Sequence, residues 1–280
     1  MAENSGGAGI DIREFHPEVI GVKSVMNQLV GIQVIDSSNV RIEHANTSLN
    51  GQGAPSDQSG AGFLFLRSND VVSSGKDVTC LECRSTDDRS GFSIIDSIDL
   101  QLKNISVFDP SSGKAILADG TSLQRPGYVE ILGAEIRSNH TASEVSLQSI
   151  DGHLRDIDFS GTSFEWSAYG LVPSSIQDSN LNLSSNCTVF SNFPDLRGTN
   201  VSFGCQDGNP IEFTSSNTTM VDASIAIGST LSLSSGSNVN WVSSTNLSSP
   251  LSDDPDDKLM ISWFIDVEVT NQNGFGIPFA

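Results

Sequence analysis

Two sets of carboxylates are spaced for acid–base chemistry. Asp87 and Asp88 are adjacent and precede Arg89, while Asp156 and Asp158 flank Ile157. A glycoside hydrolase needs two or three carboxyl groups converging on one face. A polysaccharide lyase needs a base to remove the proton alpha to a uronate, beside acids that hold Ca2+. Asp87 and Asp88 read either as such a pair or as a solvated corner. Asp156 and Asp158 share one face of a strand, which is also what an ordinary wet face looks like. Asp253, Asp254, Asp256 and Asp257 offer hard oxygens for Ca2+. They lack the glycine turn and bidentate glutamate that order a loop site, so a flexible linker is the expectation. Ca2+ is thus the one candidate cofactor, and otherwise none is expected. His16, His44, His140 and His153 lie far apart with no metal-ligand spacing, and read as surface or loop residues.

Charge and composition narrow the partners. The chain has 280 residues and a formal charge of −20, from 34 acids against 14 bases. Nucleic acid and anionic lipid both call for a basic footprint, so neither is expected. No apolar run is long enough to span a bilayer, and direct membrane insertion is not expected. Hydrophobic residues make up 37%, and serine is abundant at 46 residues. The apolar residues are nonetheless clustered and patterned, which points to many short strands and polar turns rather than disorder.

Met1 to Gly7 carries neither the basic nor the apolar region of a signal peptide. Either the protein is cytosolic or it is a piece of a longer exported chain. Eight Asn-x-Ser/Thr sequons favour export: Asn46, Asn104, Asn139, Asn182, Asn186, Asn200, Asn217 and Asn246 are glycosylation candidates, although a chain rich in Asn, Ser and Thr also makes sequons by chance.

The elements that must position these groups recur along the chain. Gly91 to Val107 holds two short apolar runs with an Asp-Ser corner between them, and the second run alternates at Leu100 and Leu102. Neither run carries a 3.6-residue stripe, so both read as strands. Gly31 to Ile42 is nearly the same phrase, Gly62 to Val72 a looser one, and further copies start at Val145 and Ile176. The glycines at 31, 62 and 91 are 31 and 29 residues apart. A drifting period of this size, with one strand–corner–strand phrase per copy, is produced by stacked coils. The expected fold is all-β, a single-stranded parallel β-helix of about 8–10 coils, with an extra C-terminal strand. Residues 1–29 read as a lead-in or capping segment, 30–250 as the β-helix, and 251–280 as an acidic linker and the first strand of a β-sandwich module.

Cys187 and Cys205 are 18 residues apart, about one coil. Neighbouring coils lie ~4.8 Å apart, within reach of a disulfide when both side chains point the same way. The spacing favours that bridge. Cys80 and Cys83 have redox or metal spacing but no second half for a zinc site, and their pairing is left open beside the alternative of four buried thiols. Trp166, Tyr169 and Trp241 are aromatics that could stack on sugar rings; for the tryptophans, filling coil interiors is the favoured reading.

The phrases Val34-Ile-Asp-Ser-Ser-Asn-Val-Arg-Ile, Ile94-Ile-Asp-Ser-Ile-Asp-Leu-Gln-Leu-Lys-Asn and Ile176-Gln-Asp-Ser-Asn-Leu-Asn-Leu resemble right-handed parallel β-helix repeats of the pectin-lyase-like superfamily, including NosD-type surface proteins. The resemblance spans roughly residues 30 to 245. The tail from Ile261 is similar to the opening of an Ig-like β-sandwich module. Asp87–Asp88 resembles the paired aspartates of polygalacturonase-like hydrolases, but the companion Asn-Thr-Asp, Gly-His-Gly and Arg-Ile-Lys motifs are missing. The superfold hosts lyases, hydrolases, adhesins and inert spacers, so the likeness implies shape more than activity. The expectation is a non-catalytic extracellular or cell-surface module, an adhesin, carbohydrate-binding or spacer scaffold whose partner is a polysaccharide or cell-surface glycan. The alternative is a polysaccharide lyase or glycoside hydrolase acting on an acidic polysaccharide.

Overall fold

In the computed structural model the chain winds into a parallel β-solenoid of about nine turns. The structure describes residues 1–13, 18–56, 58–68, 78–97, 99–111, 114–121, 127–137, 144–184, 187–205, 209–226, 229–242, 251–252 and 254–262. Each coil has three sides. The first sides form an eleven-stranded sheet running from Ile10–Ile12 through Ser90–Ile95 to Leu251–Ser252. The second and third sides share a sixteen-stranded sheet, and every strand pair in both sheets is parallel. From Leu100–Phe108 to Leu196–Cys205 one long strand per coil covers both of those sides, bent over the edge between them.

Alternation explains the core. On the first side Ile12, Val34, Phe65, Ile94, Ala118 and Leu147 stand in register, one per coil, and all are buried. Trp166 and Phe190 continue the same column. Phe63 and Phe92 stack with centroids 4.7 Å apart, as residues of one column in adjacent coils must. Fully burying such a side chain is worth about 1.5–3 kcal/mol, and only contact with the coils above and below achieves it.

The bends are made residue by residue. Along the edge between second and third sides, Asn104, Gly133, Asp156, Asp178, Asn200 and Asp222 follow one another in register, each with φ between 49 and 78°. Gly tolerates this left-handed conformation because it has no Cβ to crowd, and Asn and Asp visit it because their short polar side chains can hydrogen-bond locally. One such residue turns the chain without breaking the hydrogen-bond ladder.

The glycines that mark the repeats also align. Gly31, Gly62 and Gly91 stand beside one another in the stack, since Ile32, Phe63 and Phe92 are partners. A Cβ on Gly62 would lie 2.4 Å from Asp88 Oδ2. Close approach, rather than chain flexibility, keeps this position glycine.

Solenoid strands occur before residue 30 and after residue 250. Residues 1–29 contribute coil strands of their own, with Ile10–Ile12 paired to Ile32–Ile35 and Lys23–Val25 to Asn46–Ser48. The stretch expected to be a linker supplies a turn: Asp257 N–H donates to Asp254 O at 3.1 Å, and Asp256 N–H to Asp254 Oδ1 at 2.9 Å. Leu251–Ser252 and Lys258–Ser262 on either side extend the two sheets. Asp257 also accepts the Ser237 N–H at 2.8 Å, tying the turn to the coil before it. Residues 263–280, with the bulk of the expected sandwich strand, lie outside the described residues.

Candidate functional site

Asp87 and Asp88 do not form a carboxylate pair. Asp87 occupies a left-handed corner (φ 52°) and is exposed, which reverses the alternation and sends Asp88 inside. Asp88 is fully buried, neither a solvated corner nor a catalytic acid at a surface. Its Oδ2 accepts the hydroxyls of Thr47 (2.6 Å) and Ser85 (2.7 Å), and its Oδ1 accepts the Asn50 N–H and Nδ2–H, both at 2.8 Å. Asn50 Oδ1 in turn accepts from the N–H and Nδ2–H of Asn27, one coil down. The result is an internal polar ladder through the first coils. Burial pushes the Asp88 carboxyl above the usual carboxylate range, against the opposing pull of its four donors.

Asp156 and Asp158 lie on the outer surface, but not as i and i+2 of one flat strand. Asp156 is the edge residue, and Asp158 stands beyond the bend on the third side. Two shallow, open depressions meet at them. One of about 400 Å3 is lined by Asp178, Asn180, Asn200 and Ser202 together with Asp156 and Asp158. The other, of about 380 Å3, adds Asn104, Ser106, Gly133 and Glu135. The missing side chain at Gly133 contributes to its depth. The groove runs along the solenoid axis, with polar side chains repeating at the coil rise of ~4.8 Å.

Its carboxylates are committed to neighbours. Arg137 pairs with Asp158 and with Glu135 (3.2 Å). Arg155 lies 3.5 Å from Asp156 and 3.6 Å from Asp178. The Nδ2 groups of Asn180 and Asn200 donate to Asp158 (3.4 Å) and Asp178 (3.0 Å). These groups are solvent-facing on a corner turned by single residues. The arrangement presents hydrogen-bond acceptors and amides to a polar chain lying along the edge. Among the described residues no group of three or more His, Cys, Asp or Glu could hold a metal ion, so the Ca2+ reading of Asp254, Asp256 and Asp257 gains no support there; Asp253 lies outside them.

The other candidates sort by side. Cys80 is bonded to Cys83 (Cα–Cα 5.9 Å) and Cys187 to Cys205 (Cα–Cα 5.4 Å). Trp166 and Trp241 are buried in the coil interior, with Trp166 Nε1–H donating to Ile150 O at 2.8 Å. Tyr169 is exposed. Asn46, Asn104, Asn182, Asn200 and Asn217 are all exposed, while Asn139, Asn186 and Asn246 lie outside the described residues. His44 pairs with Glu82 at 2.8 Å on the surface, and His16 and His140 fall outside the described residues. His153 is half-buried on the second side, its Nδ1 2.8 Å from Ser175 Oγ and its ring edge-on to Tyr128. Sequence reading missed this contact because its partners are 22 residues apart and meet only through the coil register.

Set against family models, curated proteins and solved structures, the chain matches none. What fold and geometry define is therefore a class: a parallel β-solenoid with an acidic, amide-lined edge groove.

Proposed function

We propose that this chain is an extracellular or cell-surface β-solenoid module that binds and displays, using the groove centred on Asp156 and Asp158 to hold a glycan chain along its edge. The observation that carries the reading is the junction of two open depressions lined by carboxylate, amide and hydroxyl groups at coil spacing. Sugar hydroxyls both donate and accept, and such a row offers partners of both kinds at each coil. Glu135, Asp156, Asp158 and Asp178 outnumber Arg137 and Arg155, and the whole chain carries −20. That field repels polyuronates, so the ligand is a neutral polysaccharide or cell-surface glycan. The sequence phrases support a pectin-lyase-like, NosD-type relationship, and the tail from Ile261 supports a sandwich module following the solenoid. The exposed sequons fit a glycoprotein.

The lyase or hydrolase alternative is weaker at this site, since the carboxylates are ion-paired on an open edge and Asp88 is spent on the interior. Affinity electrophoresis on neutral and uronate-containing polysaccharides, with and without Ca2+, tests the reading. Retardation by a neutral chain, lost in Asp158→Ala and Asn180→Ala, is expected. Depolymerisation of any of them, or no retardation by any, overturns it.

A further inference from the structure

We infer that the second side carries an acyl-transfer site, with Ser175 as nucleophile and His153 as its general base, acting on an ester with an apolar portion. This goes beyond the glycan-binding reading and lies on a different side of the solenoid. The outward column of that side reads Gln101, Glu130, His153, Ser175, Arg197, one residue per coil in parallel register. A nucleophile, a base, a carboxylate and a cation thus fall in line along the axis. With its own proton on Nε2, His153 accepts the Ser175 hydroxyl at Nδ1, 2.8 Å away, which is the contact a general base requires. Glu130, tied to Gln101 at 2.5 Å, stands one coil from the imidazole, where positive charge develops when it takes that proton. Arg197 stands one coil beyond Ser175; its Nε and Nη2 are engaged by Asp195 at 3.2 and 2.9 Å, leaving Nη1 donors for an oxyanion.

An exposed apolar loop directly precedes Ser175 in the chain. Asp151, two residues before His153 and fully buried, accepts the backbone N–H groups of Gly170 (2.9 Å), Leu171 (3.1 Å) and Val172 (3.0 Å). The loop so clasped ends just before Ser174 and Ser175, and keeps Tyr169, Leu171 and Val172 exposed, Leu171 at 69%. Burying a carboxylate to hold apolar side chains in water adds nothing evident to the core, and it suits recognition of an apolar group.

The chemistry balances with water as co-reactant. Ser175 Oγ attacks the ester carbonyl carbon as its proton passes to His153 Nδ1. Collapse of the tetrahedral species expels the alcohol, which leaves with that proton, and acyl-Ser175 remains. Water, deprotonated by the same imidazole, then releases the acid and restores the hydroxyl.

The test is labelling with diisopropyl fluorophosphate, mapped by peptide mass spectrometry, together with hydrolysis of p-nitrophenyl butyrate. Modification is expected on Ser175 in preference to the other 45 of the chain's 46 serines. His153→Gln keeps an acceptor for Ser175 but cannot act as a base, and should slow labelling by about 100-fold or more. Ser175→Ala should abolish ester hydrolysis with the melting temperature retained. An unlabelled Ser175, or labelling equal in His153→Gln, overturns the inference and leaves a cross-strand hydrogen bond. Polysaccharide retardation is read separately and is unaffected by either result.

Discussion

Replacing Asp88 by alanine should unlatch the polar interior of the first coils. The substitution strands the Thr47 and Ser85 hydroxyls, the Asn50 N–H and one Asn50 Nδ2–H. Hydroxyls can rotate, and Thr47 has the Arg84 carbonyl within 3.5 Å, but the Asn50 backbone N–H is fixed. Each stranded buried donor costs about 1–3 kcal/mol, and partial relaxation brings the total to roughly 4 kcal/mol. For a chain of this length that lowers the melting temperature by about 7 °C if unfolding is cooperative. Asp88→Asn is the control. Its amide oxygen can serve Asn50 while its NH2 faces the two hydroxyls, which can turn to accept, so about 1 kcal/mol is lost.

The pH dependence has a definite sign. Burial raises the folded-state pKa of Asp88 above its unfolded value, so the native state binds the proton more tightly. The associated stability is fully present below the unfolded carboxylate pKa and is lost as pH rises through the folded one. Asp88→Asn removes that slope. Thermal melts followed by the β-sheet circular dichroism band, across the acid range, measure both effects. An Asp88→Ala melt within about 1 °C of the wild type would refute the account of a satisfied, latched carboxylate.

Three other outcomes follow from the same geometry. Gly62→Ala places a methyl against Asp88 Oδ2 and Thr47 Oγ1 (2.5 Å), and should destabilise by a few kcal/mol; a double-mutant cycle with Asp88→Ala should be strongly non-additive. Reducing Cys187–Cys205, which closes an 18-residue separation, should cost about 3 kcal/mol, whereas the three-residue Cys80–Cys83 closure should cost less; melts of the two Cys→Ser pairs compare them. Raising NaCl to about 1 M, where the screening length is about 3 Å, should raise the melting temperature, because relief of self-repulsion at −20 outweighs weakening of exposed ion pairs such as Arg67–Asp36. A melting temperature that falls with salt would contradict that ordering.

Much of the architecture was legible in residue pattern. Alternation at Leu100 and Leu102, corners of Asp, Asn and Gly, and glycines 31 and 29 residues apart specify short strands that return on themselves. A strand with one apolar face must bury it, and repeated copies bury theirs on one another. The terminal boundaries were less legible, since Asp254 to Asp257 has linker composition and only its tie to Ser237 reveals a coil turn.

The sequence by itself determined the class of fold, which residues face inward within a strand, and the overall charge. Only the tertiary structure decided what meets what. In-register partners on the first side lie 31 residues apart at Ile32 and Phe63 but 19 at Val145 and Phe164, so sequence distance does not say who stacks on whom. A single left-handed residue at a corner also resets the inside–outside alternation. That is why Asp88, beside an exposed Asp87, is interior, and why Asp156 joins Asp158 in a groove; His153 meets Ser175 on the adjoining side through coil register alone.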